Sequence, residues 1–110
     1  MEVTHRIEDD VVVMEIIGRL SAENVETLRS AFLELFNSYR HFVFDLAKME
    51  YLDSTGLGAI VFCLKSCNEF KGTLKLASLV DKTRMIFEIT KAYRIFDIYD
   101  SVPAAIEASK

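Results

Sequence analysis

Proline and glycine are scarce in this chain, which has one proline, Pro103, and four glycines among its 110 residues. It has no tryptophan, and histidine and cysteine occur twice each. No repeat, low-complexity run or Pro/Gly-rich linker interrupts the sequence. We therefore expect one domain spanning residues 1–110, with a core large enough to need no covalent staple.

Runs of basic residues and long apolar runs are also absent. The formal net charge is −4 and the pI is about 5.1, whereas nucleic-acid binding needs a basic surface that displaces counterions from phosphates. No stretch approaches the roughly 20 apolar residues of a membrane span, and the N-terminus lacks the basic start and apolar run of a signal peptide. We expect a cytoplasmic protein with no nucleic-acid partner and no membrane span, and binding to anionic membranes is disfavoured.

The few residues that could support catalysis or metal binding are poorly arranged for either. Cys63 and Cys67 are four residues apart in an apolar helical pattern, which indicates reduced thiols in or near a core and not a redox or zinc motif. His5 and His41 have no carboxylate or nucleophile at a familiar spacing, although a Ser-His-Asp group assembled in space stays open. The glycines of Gly56-Leu57-Gly58 form neither a Walker loop nor a dinucleotide fingerprint. We therefore predict no enzyme activity, no cofactor and no metal.

Apolar periodicity predicts an α/β domain of the order β-β-α-β-α-β-α-β-α with a mixed, largely parallel sheet. An Asp9-Asp10 turn supplies one antiparallel edge hairpin. The strands are predicted over 3–8, 11–17 with Gly18 ending the second, 41–46, 73–77 and 95–99. The helices are predicted to start at a Ser21 cap, at Asp53-Ser54, at Asp81 or Thr83, and at a Ser101 cap.

The segment Asp53-Ser54-Thr55-Gly56-Leu57-Gly58 is the most informative part of the sequence. It follows a strand and opens a helix, at the strand ends where open α/β sheets meet ligands and partners. Its two glycines weaken the helix by about 1 kcal/mol each relative to alanine, but they let another backbone approach closely. The segment is therefore consistent with a contact surface, and equally with a capped turn that packs tightly on the sheet.

Ser54 is suited to phosphorylation on physical grounds alone. A small hydroxyl at a helix N-terminus is accessible, and the free N–H groups and helix dipole there tolerate an anion. A phosphate adds roughly −1.5 to −2 charges, which would turn a flat, small-residue patch into a bulky dianion without refolding the domain. A partner docked on that patch would be repelled.

These residues resemble the STAS domain of the anti-sigma-factor antagonist type, found among bacterial sporulation and stress-response antagonists. The motif is Leu52–Gly58, preceded by the strand Phe42–Leu46. Three further stretches agree with the family's second strand and loop, fourth strand, and last strand and helix: Val12–Leu20, Gly72–Ala77 and Tyr93–Ala105. The resemblance covers nearly the whole chain.

The resemblance implies a partner-switching mechanism. The unphosphorylated antagonist binds an anti-sigma factor that is also a serine kinase, which frees the sigma factor. The kinase phosphorylates the residue after the motif aspartate, here Ser54, and a phosphatase resets it. The surrounding contact surface would comprise Asp53, Thr55, Gly56, Leu57 and Gly58, with Gly18, Leu20 and Ser21 in a neighbouring partner-contact loop.

Two departures from the family pattern accompany this resemblance. Ser21 stands where many relatives have aspartate, so one negative contact is lost, and Thr90-Lys91-Ala92 lacks a glycine that many relatives place after the third helix. An alternative function is a STAS scaffolding module, as in stressosome-like or lipid-transport complexes, that binds constitutively without phosphorylation control. A nucleotide-binding role ranks last, because the sequence supplies no phosphate cradle.

Overall fold

Six strands and four α-helices make up the computed structural model, which describes residues 1–110. The strands are β1 Glu2–Glu8, β2 Val11–Leu20, β3 His41–Asp45, β4 Met49–Leu52, β5 Thr73–Ala77 and β6 Asp97–Tyr99. The helices are α1 Val25–Phe36, α2 Ser54–Glu69, α3 Asp81–Ile89 and α4 Val102–Ala108, with a short 3₁₀ helix, η1, at Ala92–Arg94. The predicted α/β alternation is confirmed, with one strand, β4, that was not predicted.

The strands form one mixed sheet in the order β1-β2-β3-β5-β6, and β4 pairs with β2 beside this path. β1 is antiparallel to β2, and all other pairs are parallel. Asp9 and Asp10 join β1 to β2 with φ angles of 54° and 66°, the left-handed conformation that a tight hairpin turn requires. The predicted antiparallel edge hairpin is confirmed.

Gly18 does not end β2, contrary to the prediction. Its φ of +92° and a register shift between Gly18 and Arg19 mark a bulge, and the strand continues to Leu20. β2 pairs with β3 over Val12–Glu15 and with β4 over Gly18–Leu20, and the bulge lies within the second pairing. A bulge re-aims a strand without terminating it, so β2 reaches two partners and extends beyond β3 at its C-terminal end.

Helices cover both faces of the sheet, which explains the long apolar runs in the central strands. Alternate side chains of β2 point to opposite faces of the sheet and pack in different hydrophobic clusters. Met14 and Ile16 belong to a cluster of 24 buried residues that includes residues of α1, α2 and α3. Val11 and Val13 belong to a cluster of 7 that includes residues of α4. A tilted contact between the Phe32 and Phe42 rings, at 4.7 Å between centroids and 49° between planes, packs α1 against β3.

Two predicted boundaries are corrected by local hydrogen bonding. The first helix starts at Val25, with Asn24 as its N-cap, and not at a Ser21 cap. Instead, Asn24 Oδ1 accepts the backbone N–H of Ser21 at 2.9 Å, which closes a turn before the helix. The strand predicted from Ile95 begins at Asp97, because Ala92–Arg94 forms the 3₁₀ helix η1 and the chain turns through Ile95. Ser101 caps α4 as predicted, through the N–H of Ala104.

Candidate functional site

The segment singled out in the sequence lies at the C-terminal ends of β2 and β4. Leu20 and Leu52 are register partners at the ends of these parallel strands. The residue after Leu20 enters the β2–α1 loop, and the residue after Leu52 caps α2. Two loops distant in sequence are therefore adjacent, and the predicted contact residues from both come together at one edge of the sheet.

Asp53 joins the two loops through both oxygens of its carboxylate. Oδ1 accepts the backbone N–H of Gly56 at 2.7 Å, which is the N-cap hydrogen bond of α2. Oδ2 accepts the backbone N–H of Ala22 at 3.2 Å, in the β2–α1 loop. One side chain thus fixes both the start of α2 and the position of the neighbouring loop.

Ser54 and Thr55 are the first two residues of α2, and both are exposed. In the first turn of α2 the N–H of Gly56 bonds to the Asp53 side chain and the N–H of Leu57 to the Asp53 carbonyl oxygen at 2.9 Å. The N–H groups of Ser54 and Thr55 have no partner. The Ser54 hydroxyl is therefore presented to solvent beside unpaired backbone donors and the positive end of the helix dipole.

The two glycines of the motif have different structural roles. A Cβ added to Gly56 would lie 2.5 Å from the carbonyl oxygen of Leu20 and 2.9 Å from Leu52 Cδ1, so only glycine fits between α2 and the strand ends. A Cβ added to Gly58 would meet no atom within 4 Å. Packing requires glycine at position 56, whereas a side chain at position 58 would extend into open space.

The remaining predicted site residues differ in exposure. The side chains of Leu20 and Leu57 are buried in the core, so they hold the strand end and the helix in place and offer a partner little surface. Gly18 sits at the β2 bulge, and Ser21 is half-buried in the turn before α1. Of the nine predicted residues, the exposed ones are Ser54, Thr55 and Gly58.

Sequence reasoning did not identify a cation–π pair that borders this site. Arg19 and Tyr51 are register partners on β2 and β4, and the Arg19 guanidinium lies 4.1 Å from the Tyr51 ring centroid. Both line a shallow pocket of about 280 Å³ with Ser21, Ala22, Glu23 and Asp53. The pairing depends on the unpredicted strand β4, so no local pattern could have revealed it.

The titratable groups considered for catalysis lie elsewhere. His41 is at the N-terminal end of β3, the opposite edge of the parallel sheet from Ser54, and its Nδ1 lies 2.9 Å from Thr73 Oγ1. Cys63 and Cys67 are buried in α2, as predicted, and are not bonded to each other. Burial raises the pKa of the Cys67 thiol to about 12 and the pKa of the Cys63 thiol further, so neither is a reactive thiolate.

Two further properties bear on function. No group of three or more His, Cys, Asp or Glu side chains is placed to hold a metal ion. None of the helices combines the length and the apolar content needed to cross a bilayer.

Comparison with known proteins identifies relatives along nearly the whole chain. The STAS domain family model matches residues 2–105. The Thermotoga maritima protein TM1081, provisionally named an anti-sigma factor antagonist, is 30% identical, and its crystal structure gives a TM-score of 0.91 over 97% of this chain and 93% of that one. The anti-sigma-B factor antagonist of Bacillus subtilis is 32% identical over 91 residues, 83% of each chain.

The fold also matches SpoIIAA of Bacillus, an anti-sigma factor antagonist solved in two states. The unphosphorylated form gives a TM-score of 0.75 at 16% identity, covering 97% of this chain and 96% of that one. The phosphorylated form gives 0.76 at 15% identity, covering 99% and 100%. At this level of identity the likeness concerns the fold.

A mixed sheet with helices on both faces and a capped, glycine-bearing helix start at its C-terminal edge characterise a small α/β domain. Specifically, this chain belongs to the STAS domain family, with relatives that are anti-sigma factor antagonists. The resemblance that the motif Leu52–Gly58 suggested is thereby confirmed at the level of family and fold.

Proposed function

We propose that this protein is a cytoplasmic, non-catalytic anti-sigma factor antagonist controlled by phosphorylation of Ser54. In its unphosphorylated form it binds an anti-sigma factor that is also a serine kinase, and the sigma factor is released. Phosphorylation of Ser54 ends this binding, and a phosphatase restores it. The observation that carries the proposal is the exposed Ser54 hydroxyl, at the first position of a helix whose cap is already supplied by Asp53.

The bare surface around Gly58 supports a docking role for the start of α2. Since packing does not require glycine at this position, a protein selected for stability alone would gain up to about 1 kcal/mol by replacing it with alanine. A partner that lies flat on the helix would account for the missing side chain. Thr55 and Gly58 would contact the partner directly, while Asp53, Gly56, Leu57, Gly18, Leu20 and Ser21 would shape the two loops.

The electrostatics of the site support a switch that needs no refolding. A dianionic phosphate on Ser54 would meet the unpaired N–H groups and the positive dipole end of α2, so the domain would tolerate it. The same phosphate would stand beside the Asp53 carboxylate, concentrating negative charge on the docking surface. A partner with acidic or closely packed atoms there would be expelled. SpoIIAA, which shares this fold, was solved in a phosphorylated form, consistent with such a modification.

The proposal is tested by incubating the purified protein with its cognate anti-sigma factor kinase and ATP. Intact-mass spectrometry should show the addition of one phosphate, and fragmentation should place it on Ser54. Thr55→Ala is the matched control, because Thr55 is an exposed hydroxyl on the same helical turn. We expect Ser54→Ala to accept no phosphate and Thr55→Ala to accept one, and phosphorylation of Ser54→Ala would refute the assignment.

The alternative of a constitutive scaffolding module predicts a different result in the same system. A partner that binds wild type, Ser54→Ala and Ser54→Asp with equal affinity would favour a stressosome-like or lipid-transport role without phosphorylation control. Loss of binding only in Ser54→Asp supports the switch.

A further inference from the structure

The outer surface of α3 exposes two large apolar side chains. Met85 is 59% exposed and Ile89 is 74% exposed, the two highest values among the large hydrophobic residues of the chain. They are four residues apart, so their side chains are neighbours on one face of the helix. Thr83 and Phe87 occupy the opposite, buried face. This ridge makes no contribution to the core, and an exposed apolar ridge marks an interaction surface more often than scattered single residues do.

Four cationic side chains lie on the same segment: Lys82 and Arg84 in α3, and Lys91 and Arg94 at η1. None of them forms an ion pair within the chain. With Asp81 and Glu88 as the carboxylates, residues 81–95 carry a net charge of +2, so the rest of this chain of net charge −4 carries −6. Unpaired positive charge is thus concentrated around the apolar ridge of an otherwise acidic protein.

A groove adjoins the ridge where α3 meets η1. Its volume is about 430 Å³, and its lining includes Phe87, Tyr93 and Ile98, with Arg84 and Glu88 at its polar side. Tyr93 is itself exposed. Such a concave, partly aromatic surface can seat an apolar side chain while nearby charges fix its orientation.

We propose that this surface, named here the α3 surface and comprising residues 82–94, is a second docking site for an acidic segment of another protein. Carboxylates of the segment would pair with the free cations, and an apolar side chain would rest on the Met85–Ile89 ridge or enter the groove. Ser54 is not part of the α3 surface. We expect binding there to be independent of phosphorylation at Ser54.

The charges and shape of the α3 surface favour a protein segment over two other occupants. An anionic membrane would meet Glu88 within the groove, and would repel the net negative remainder of the chain. In a symmetric dimer the same surface of both copies forms the interface. A second copy docked through the α3 surface would therefore bring the four unpaired cations of each copy together, and these charges repel. A short acidic segment avoids both kinds of repulsion, because it contacts only the cationic surface.

A peptide titration followed by ¹H–¹⁵N correlation spectra tests the proposal. The probe is a synthetic amphipathic peptide with glutamates on one helical face and leucines on the other. A second peptide, with glutamines in place of the glutamates, reports the part played by charge. We expect shift changes confined to α3 and η1, and at least a several-fold loss of affinity with the glutamine peptide.

Two lysines whose backbone is in the left-handed conformation provide a matched pair of variants. Lys91 has a φ of 62° and Lys71, which follows α2, has a φ of 61°, so substitution by glycine removes one charge and relieves one strained position in either case. Lys91→Gly should weaken binding of the glutamate peptide by about two- to fivefold, as expected for one exposed ion pair. Lys71→Gly should leave it unchanged. Met85→Ser combined with Ile89→Ser should abolish binding, whereas Ser54→Asp should not alter it.

Several results would overturn the inference. These are no binding, equal binding of both peptides, shift changes away from α3, or loss of binding in Ser54→Asp. Two controls test the other occupants with the double variant Met85→Ser and Ile89→Ser. Cosedimentation with phosphatidylserine vesicles that is lost in the variant would assign the surface to a membrane. A dimer in sedimentation velocity that is lost in the variant would assign it to a second copy of the chain.

Discussion

The α-carbon of Gly56 lies so close to Leu20 that a Cβ on it would stand 2.5 Å from the Leu20 carbonyl oxygen. This contact presses the start of α2 against the end of β2. Because Leu20 leads directly into the β2–α1 loop, the contact also sets the spacing of the two loops at the Ser54 site. The close spacing of the two loops at the site therefore requires glycine at position 56.

Alanine at the two motif glycines should have opposite effects on stability. Gly56→Ala forces a methyl group against backbone, and overpacking of this kind costs about 1–3 kcal/mol. Gly58→Ala meets open space and should raise the free energy of unfolding by up to about 1 kcal/mol through helix propensity. Urea unfolding of both variants checks this. Equal destabilisation would show that the two glycines do not differ as described.

Removal of the Asp53 carboxylate should loosen both loops at once. Asp53→Ala loses the N-cap hydrogen bond to Gly56, worth about 1 kcal/mol, and also the hydrogen bond to Ala22. Amide hydrogen exchange should then accelerate at both Gly56 and Ala22. Asp53→Asn is the control, because asparagine also caps helices, and it should retain most of the stability. Faster exchange at Gly56 alone would mean that Asp53 does not link the two loops.

A negative charge at position 54 should be compatible with the fold. In Ser54→Asp the helix dipole favours the new carboxylate while neighbouring Asp53 opposes it, so the free energy of unfolding should change by less than about 1 kcal/mol. Thermal and urea unfolding measure this directly. A larger loss of stability would imply that phosphorylation acts by disrupting α2, and not by changing its surface.

The two thiols of α2 should make stability fall at alkaline pH. Burial raises the pKa of Cys67 from 9.0 to about 12, and burial, with the neighbouring Cys67, raises the pKa of Cys63 further. The unfolded chain therefore releases thiol protons at lower pH than the folded one. The stabilisation is fully present below about pH 9 and is lost as the pH rises towards 12.

The pH effect can be isolated with the double variant Cys63→Ala and Cys67→Ala. The urea midpoint of the wild type should fall more steeply between about pH 9 and pH 11 than that of the variant. In native buffer the thiols should also resist a thiol-specific disulfide reagent, and should react only on unfolding. Rapid reaction of the folded protein would show that the side chains are more accessible than their burial indicates.

Local sequence patterns were sufficient to predict the parts of the site that depend on neighbouring residues. Asp53 caps α2 and Ser54 begins it, as the sequence predicted, because a capping aspartate followed by an apolar helical stripe is a local signal. The hairpin at Asp9-Asp10 was predictable for the same reason. Asp53 could also be proposed as a contact residue, but its hydrogen bond to Ala22, 31 residues away, could not be inferred.

The missed features all depend on non-local pairing. β4 has only four residues, Met49–Leu52, with two exposed in the middle, so its pattern does not resemble a buried strand. It forms because β2 continues past the Gly18 bulge and presents a free strand edge. A glycine in a strand signals either an end or a bulge, and the sequence alone does not distinguish them. The Arg19–Tyr51 pair forms only because β4 pairs with β2, so it could not be predicted without β4.

We propose that charge on Ser54 controls the binding of a docked partner. Calorimetric titration of the protein against the cognate anti-sigma factor measures this effect. Fully phosphorylated and unphosphorylated protein should be compared, with Ser54→Ala carried through the same kinase treatment as the unmodified control. We expect at least a tenfold loss of affinity on phosphorylation, because like-charge juxtaposition at an interface costs several kcal/mol and about 1.4 kcal/mol corresponds to a factor of ten. Equal affinity of the two forms would contradict it.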